Sequence, residues 1–139
     1  MKQVQSTVEI DASPQRVWDV LTDAKTLSES NLGITKLDGE ISDGSSFKLW
    51  ADISPNRAFA LTVTQFRPGE FMEWTGGMPL GLFTGKRQFR LSANGNGTVL
   101  DMEETFTGLL SGVIWKSMPD LQPSFDQFAQ GVKRLAEQG

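Results

Sequence analysis

The chain has 139 residues, 38% of them apolar and 22% charged, with a formal net charge of −4. That length holds one hydrophobic core and is too short for two ordinary domains, so residues 1–139 are read as one domain. The acidic balance argues against nucleic acid as a partner, since Lys86, Arg87 and Arg90 have no basic surroundings. The absence of Cys, His and Tyr removes disulfides, thiolate and imidazole chemistry and nearly every catalytic zinc site.

Val4, Val8 and Ile10 alternate with Gln5, Thr7 and Glu9, which predicts an edge-type strand. Asp11-Ala12-Ser13-Pro14 stops it, with Ser13 as a helix N-cap and Pro14 in the first turn. Val17, Trp18, Val20 and Leu21 give that short helix one apolar face, and a second short turn is expected over Thr26–Ser30 before Asn31-Leu32-Gly33. Strand-like runs then recur over Ile34–Leu37, Phe47–Ile53, Phe59–Phe66, Phe71–Thr75, Lys86–Leu91 and Val99–Phe106. Turn residues separate them, among them Ser54-Pro55-Asn56, Pro68-Gly69 and Asn94-Gly95-Asn96-Gly97, the clearest hairpin signal. This spacing predicts an antiparallel meander. Leu121, Phe125, Phe128, Val132 and Leu135 recur at intervals of four, three, four and three, one apolar stripe on a helix of about five turns. Such a helix must lay its stripe on the concave face of the sheet.

The expected fold class is therefore α+β: a curved antiparallel sheet wrapped around a long C-terminal helix, with two short helices after the first strand. The segments Ile10–Asp23, Phe66–Trp74, Gly81–Phe89 and Glu104–Leu110 together resemble the START-like helix-grip superfamily (SRPBCC), within it the polyketide cyclase/dehydrase and lipid-transport branch. The resemblance implies an apolar cavity between sheet and helix. Members commonly place His where Arg87 stands and another polar residue near Met102, so it carries over the container better than the chemistry.

Trp50, Phe59, Trp74, Phe83, Phe89, Met102 and Phe106 are candidates to line that cavity, with ordinary core as the competing reading. Phe125 and Phe128, with Leu121 and Val132, are expected to form its back wall. The loop Gly76–Thr84 and the segment Gly108–Met118, which includes Trp115, carry enough apolar surface to need a cover or a partner, and a homodimer is one such arrangement. They are read as a flexible gate. Asp19 and Asp23 lie one helical turn apart, but nothing else supplies oxygens for a cation. Asp101 and Glu103 point to the opposite face of their strand from Glu104.

The one polar pair singled out comes from register. If Gly95-Asn96 is a two-residue loop, Leu91 faces Leu100 and Arg87 faces Glu104, and the apolar members of each strand turn this face inward. Directly opposed residues lie close enough for a charge-assisted pair.

The functional expectation is a binding protein for a small hydrophobic molecule (a lipid, prenyl or aromatic compound), with no cofactor and no metal. The ligand-binding candidates are Arg87, Glu104, Trp74, Phe89, Met102, Phe83, Trp115, Phe125 and Phe128. The alternatives are a cyclase/dehydrase-type enzyme using Arg87 and Glu104, and a chaperone-activator-like domain acting by its outer surface. No apolar signal segment opens the chain and no run approaches the roughly 18 apolar residues of a membrane span, so no integral membrane segment is expected and cytoplasm is the default compartment.

Overall fold

The alternation read at the N-terminus builds β1 (Lys2–Ile10), which buries Val4, Val8 and Ile10. The Ser13 hydroxyl accepts a hydrogen bond from the Arg16 N–H and caps α1 (Pro14–Leu21), and Asp23 caps α2 (Ala24–Glu29) through the Thr26 N–H. There follow β2 (Ile34–Asp38), β3 (Ser46–Ala51), β4 (Ser54–Arg67), β5 (Phe71–Met78), β6 (Phe83–Asn94) and β7 (Gly97–Thr107), then the helices α3 (Ser111–Ser117) and α4 (Gln122–Glu137). The computed structural model describes residues 2–52, 54–78, 80–117 and 120–138. Ile53, Pro79 and Met118, which the sequence reading assigns to a strand end and to the gate, lie outside the described residues.

The strands form one antiparallel sheet in the order β1-β7-β6-β5-β4-β3-β2. β2 to β7 pair consecutively as a meander, and β1 returns to pair with β7 as an edge strand. The stripe of α4 lies against this sheet: Phe125, Phe128 and Val132 are buried with Ala129 and Ala136, while Leu121 and Leu135 are half-buried at its margins.

Polar clamps hold the C-terminal half of α4 in place. Arg16 Nη2 donates to the Leu135 carbonyl (3.0 Å), Lys133 Nζ to the Glu9 carbonyl (2.7 Å) and Arg134 Nη2 to the Ser30 carbonyl (2.6 Å), and the Asp11 N–H donates to Glu137 Oε2 (2.8 Å). These bonds close one end of the groove between helix and sheet.

Three departures from the sequence reading have local causes. β4 begins at Ser54 although Ser54-Pro55-Asn56 reads as a turn; a register shift between Leu49 and Ala51 leaves Pro55 at a position with no cross-strand partner, where its missing N–H costs no ladder bond. Gly76, Gly77 and Met78, expected in a loop, pair with Gly85, Thr84 and Phe83, so both ends of the expected gate loop belong to the strands β5 and β6. A bulge in β4, with Gln65 at φ 51°, brings Phe66 into edge-on contact with Trp18 at 5.3 Å between ring centroids.

Two substitutions test the seat of α4. Phe128→Ala should lower stability by about 3–5 kcal/mol, since the ring is 2% exposed. Gly131→Ala, normally stabilising inside a helix, should here destabilise by about 1–3 kcal/mol, because the added Cβ would lie 2.6 Å from Leu32 Cγ. Denaturant unfolding measures both; an unchanged midpoint for Phe128→Ala would remove α4 from the core.

Candidate functional site

The Asn94-Gly95-Asn96-Gly97 signal forms the expected two-residue turn, with Gly95 at φ 60°, a value that glycine adopts without strain. Asn94 faces Gly97, Leu91 faces Leu100 and Arg87 faces Glu104. Continued across the sheet, the register sets Val63, Trp74, Arg87, Glu104 and Val4 in one row over five strands. The row lies on the concave face. The Arg87 guanidinium carbon sits 4.8 Å from the ring centre of Phe125 and 5.7 Å from that of Phe128, both on α4.

Arg87 Nε and Nη2 both donate to Glu104 Oε1, at 3.1 and 2.9 Å. Two bonds thus converge on one oxygen. Glu104 Oε2 and Arg87 Nη1 have no protein partner among the described residues, and the two side chains remain 17% and 25% exposed. Solvent therefore reaches this part of the concave face although its neighbours Trp74, Phe89 and Met102 are buried.

The sequence candidates sort along the strands by depth. Trp74, Phe89, Met102, Phe125 and Phe128 form a closed floor, with Trp74 at 4.6 Å from Phe89 and 6.3 Å from Phe128 between ring centroids. Phe83 and Trp115 are half-buried at the other end, each in contact with Phe106. Between floor and rim stands Gly85, on the same face as Arg87. A Cβ there would meet Phe106 at 3.4 Å and Glu104 Oε2 at 3.7 Å. Gly85 was not among the sequence candidates, although glycine inside a strand is the available signal for a close approach.

Two cavity candidates are corrected. Trp50 faces away from α4, with Lys36 Nζ 4.8 Å from its ring centre, because the alternation of β3 turns Phe47 and Leu49 inward instead. Phe59 is exposed beneath the Arg57 guanidinium. The apolar space expected between sheet and helix is filled at its deep end by interdigitated rings. Two surface depressions among the described residues, one of about 510 Å³ lined by Asp19, Asp23, Lys25 and Glu40 and another lined by residues of the β6–β7 turn, Glu9 and Lys133, lie away from the pair.

The other carboxylates singled out in the sequence are engaged locally. Asp19 accepts from Gln15, and Asp23 accepts from Thr26, whose hydrogen bonds hold its carboxyl below the usual aspartate range. Asp101 and Glu103 bond Gln5, Thr7 and Gln3 on the outer face. No group of three His, Cys, Asp or Glu among the described residues could hold a metal ion, and no helix there is long and apolar enough to cross a membrane.

The pair is open to a double-mutant test. Arg87→Met should destabilise by about 1–3 kcal/mol by leaving Glu104 partly buried and unpartnered. Adding Glu104→Leu should return most of that loss, since the buried charge leaves with its partner. Additive losses in urea unfolding would mean that the two side chains do not act as a pair.

Comparison with known proteins agrees with this fold. No curated protein matches the chain in sequence. Among solved structures, protein MLL2253 from Mesorhizobium loti superposes with a TM-score of 0.76 at 19% identity, over 99% of this chain and 98% of that one. The Aha1 dimer from Colwellia psychrerythraea gives 0.71 at 17%, over 99% and 97%. The di-domain ARO/CYC StfQ from the steffimycin biosynthetic pathway gives 0.68 at 15%, over 98% of this chain and 50% of its own length. These likenesses establish the helix-grip fold. The polyketide cyclase/dehydrase and lipid transport family matches residues 1–137, and the chain belongs to that family.

Proposed function

We propose that residues 1–139 work as one unit that binds or carries a small, mostly apolar molecule on the concave face, between the sheet and the N-terminal half of α4. The observation that carries this reading is a charged pair facing the helix, still reached by solvent, beside a strand position with no side chain. An apolar wall with a few convergent polar groups is the ordinary make-up of a small-molecule site. The rings of Phe83, Phe106, Trp115 and Phe125 supply the wall, and Arg87 and Glu104 orient the ligand. Leu80 (92% exposed), Leu109 and Val113 stand at the rim as the gate; the N–H groups of Leu109 and Leu110 donate to the carbonyls of Gly81 and Leu82, which ties its two halves together.

The same pair favours a second reading, an enzyme of the cyclase or dehydrase type. Arg87 would stabilise a developing enolate and the free oxygen of Glu104 would move a proton. Turnover that survives removal of both side chains would exclude it.

Binding is tested by thermal unfolding with fatty acids and apolar fluorescent probes. A ligand at one hundred times its Kd should add about 2.7 kcal/mol of stability. Gly85→Leu should abolish the protection, because its side chain would fill the space beside Glu104. A broad screen without protection would contradict the carrier and turn attention to the outer surface.

A further inference from the structure

Among the described residues, a single buried side-chain polar atom lacks a hydrogen-bond partner: the indole N–H of Trp74. Burying a donor without an acceptor forfeits a factor of about ten to a hundred in the folding equilibrium, and buried indoles ordinarily find a partner. The neighbours of Trp74 explain the vacancy. Phe47, Phe89 and Phe128 surround it with rings at centroid distances of 5.1, 4.6 and 6.3 Å. Its cross-strand partners are Val63, which is apolar, and Arg87, whose guanidinium can only donate. Glu104, the nearest acceptor in the row, stands beyond Arg87 and accepts from it. The row thus holds two donors on adjacent strands, Trp74 Nε1 and Arg87 Nη1, that no acceptor among the described residues receives.

We infer that Trp74 is a specificity-determining residue of the site: its indole N–H and the unused Arg87 nitrogen receive one acceptor oxygen, a carbonyl, on an otherwise apolar ring compound. The inference rests on the ligand-binding reading and narrows it, since a plain hydrocarbon would leave both donors unmet. The floor is closed around Trp74, so the oxygen is admitted by a shift of the Arg87 side chain, the part of the row that solvent already reaches.

The test uses 1-indanone and indane, ring compounds that differ by one carbonyl, on the full chain labelled with nitrogen-15. The Trp74 indole resonance is assigned by its loss in Trp74→Phe, or by selective labelling should that variant not fold. In the wild-type protein 1-indanone should move this resonance downfield and indane should leave it near its free position. 1-Indanone should bind about tenfold more tightly than indane, and Trp74→Phe should erase that preference while retaining indane binding. Equal affinities in the wild type, or a preference that survives Trp74→Phe, would overturn the role of Trp74 and leave ring binding intact. Binding of neither probe would overturn the inference for ring carbonyls, while the fatty-acid screen above decides the carrier reading separately.

Discussion

The register of one hairpin governs the site. A turn of two residues between β6 and β7 places Arg87 opposite Glu104. An extra residue would turn every side chain of one strand to the other face. Arg87 would then face solvent with Lys86's present neighbours, and Phe89 would leave the core. The apolar content of Phe89, Leu91, Leu100 and Met102 makes that slip costly, so the burial of four apolar residues on these two strands also fixes the ion pair. The pair itself adds little net stability, because two half-desolvated charges recover in attraction roughly what they lose in hydration. On the proposed reading, its place on the concave face serves to orient a ligand.

The groove it faces is asymmetric. Clamps from Arg16, Lys133, Arg134 and Glu137 hold the C-terminal half of α4 to β1, to α1 and to the loops before α1 and after α2, and Val132 and Ala136 pack beneath them. The N-terminal half has fewer such ties; Gln122 Nε2 donates to the Gln5 carbonyl at 2.8 Å. Phe125 and Arg87 meet at this less fastened half, and Phe83, Phe106 and Trp115 rim the adjoining end of the sheet. Local opening draws on regions with fewer buried contacts, so a ligand that enters beside Phe106 disturbs the clamped end least.

Much of this was legible in the chain because one-dimensional periodicity records which face is buried. The α4 stripe, the alternation of β1 and the Asn94–Gly97 turn were enough to derive the Arg87–Glu104 pairing. What escaped depends on partners distant in sequence. Gly76 and Gly77 read as loop because glycine weakens a strand, yet pairing with Gly85 and Thr84 overrides that tendency. The Gln65 bulge, which redirects Phe66 to Trp18, has no composition signal. Aromatic character argues for burial of Trp50, whereas the pleat turns it outward beside Lys36. The unmet indole of Trp74 was invisible in principle, since a missing partner is a property of the assembled row.

The central claim is that the concave face takes up a small molecule through Arg87 and Glu104. Native mass spectrometry of the chain purified without denaturant from the organism that encodes it tests this most directly. The account predicts a discrete non-protein mass that is released on denaturation and is depleted in Arg87→Met. Protein that emerges bare, and stays bare after incubation with a total lipid and metabolite extract of that organism, would contradict it.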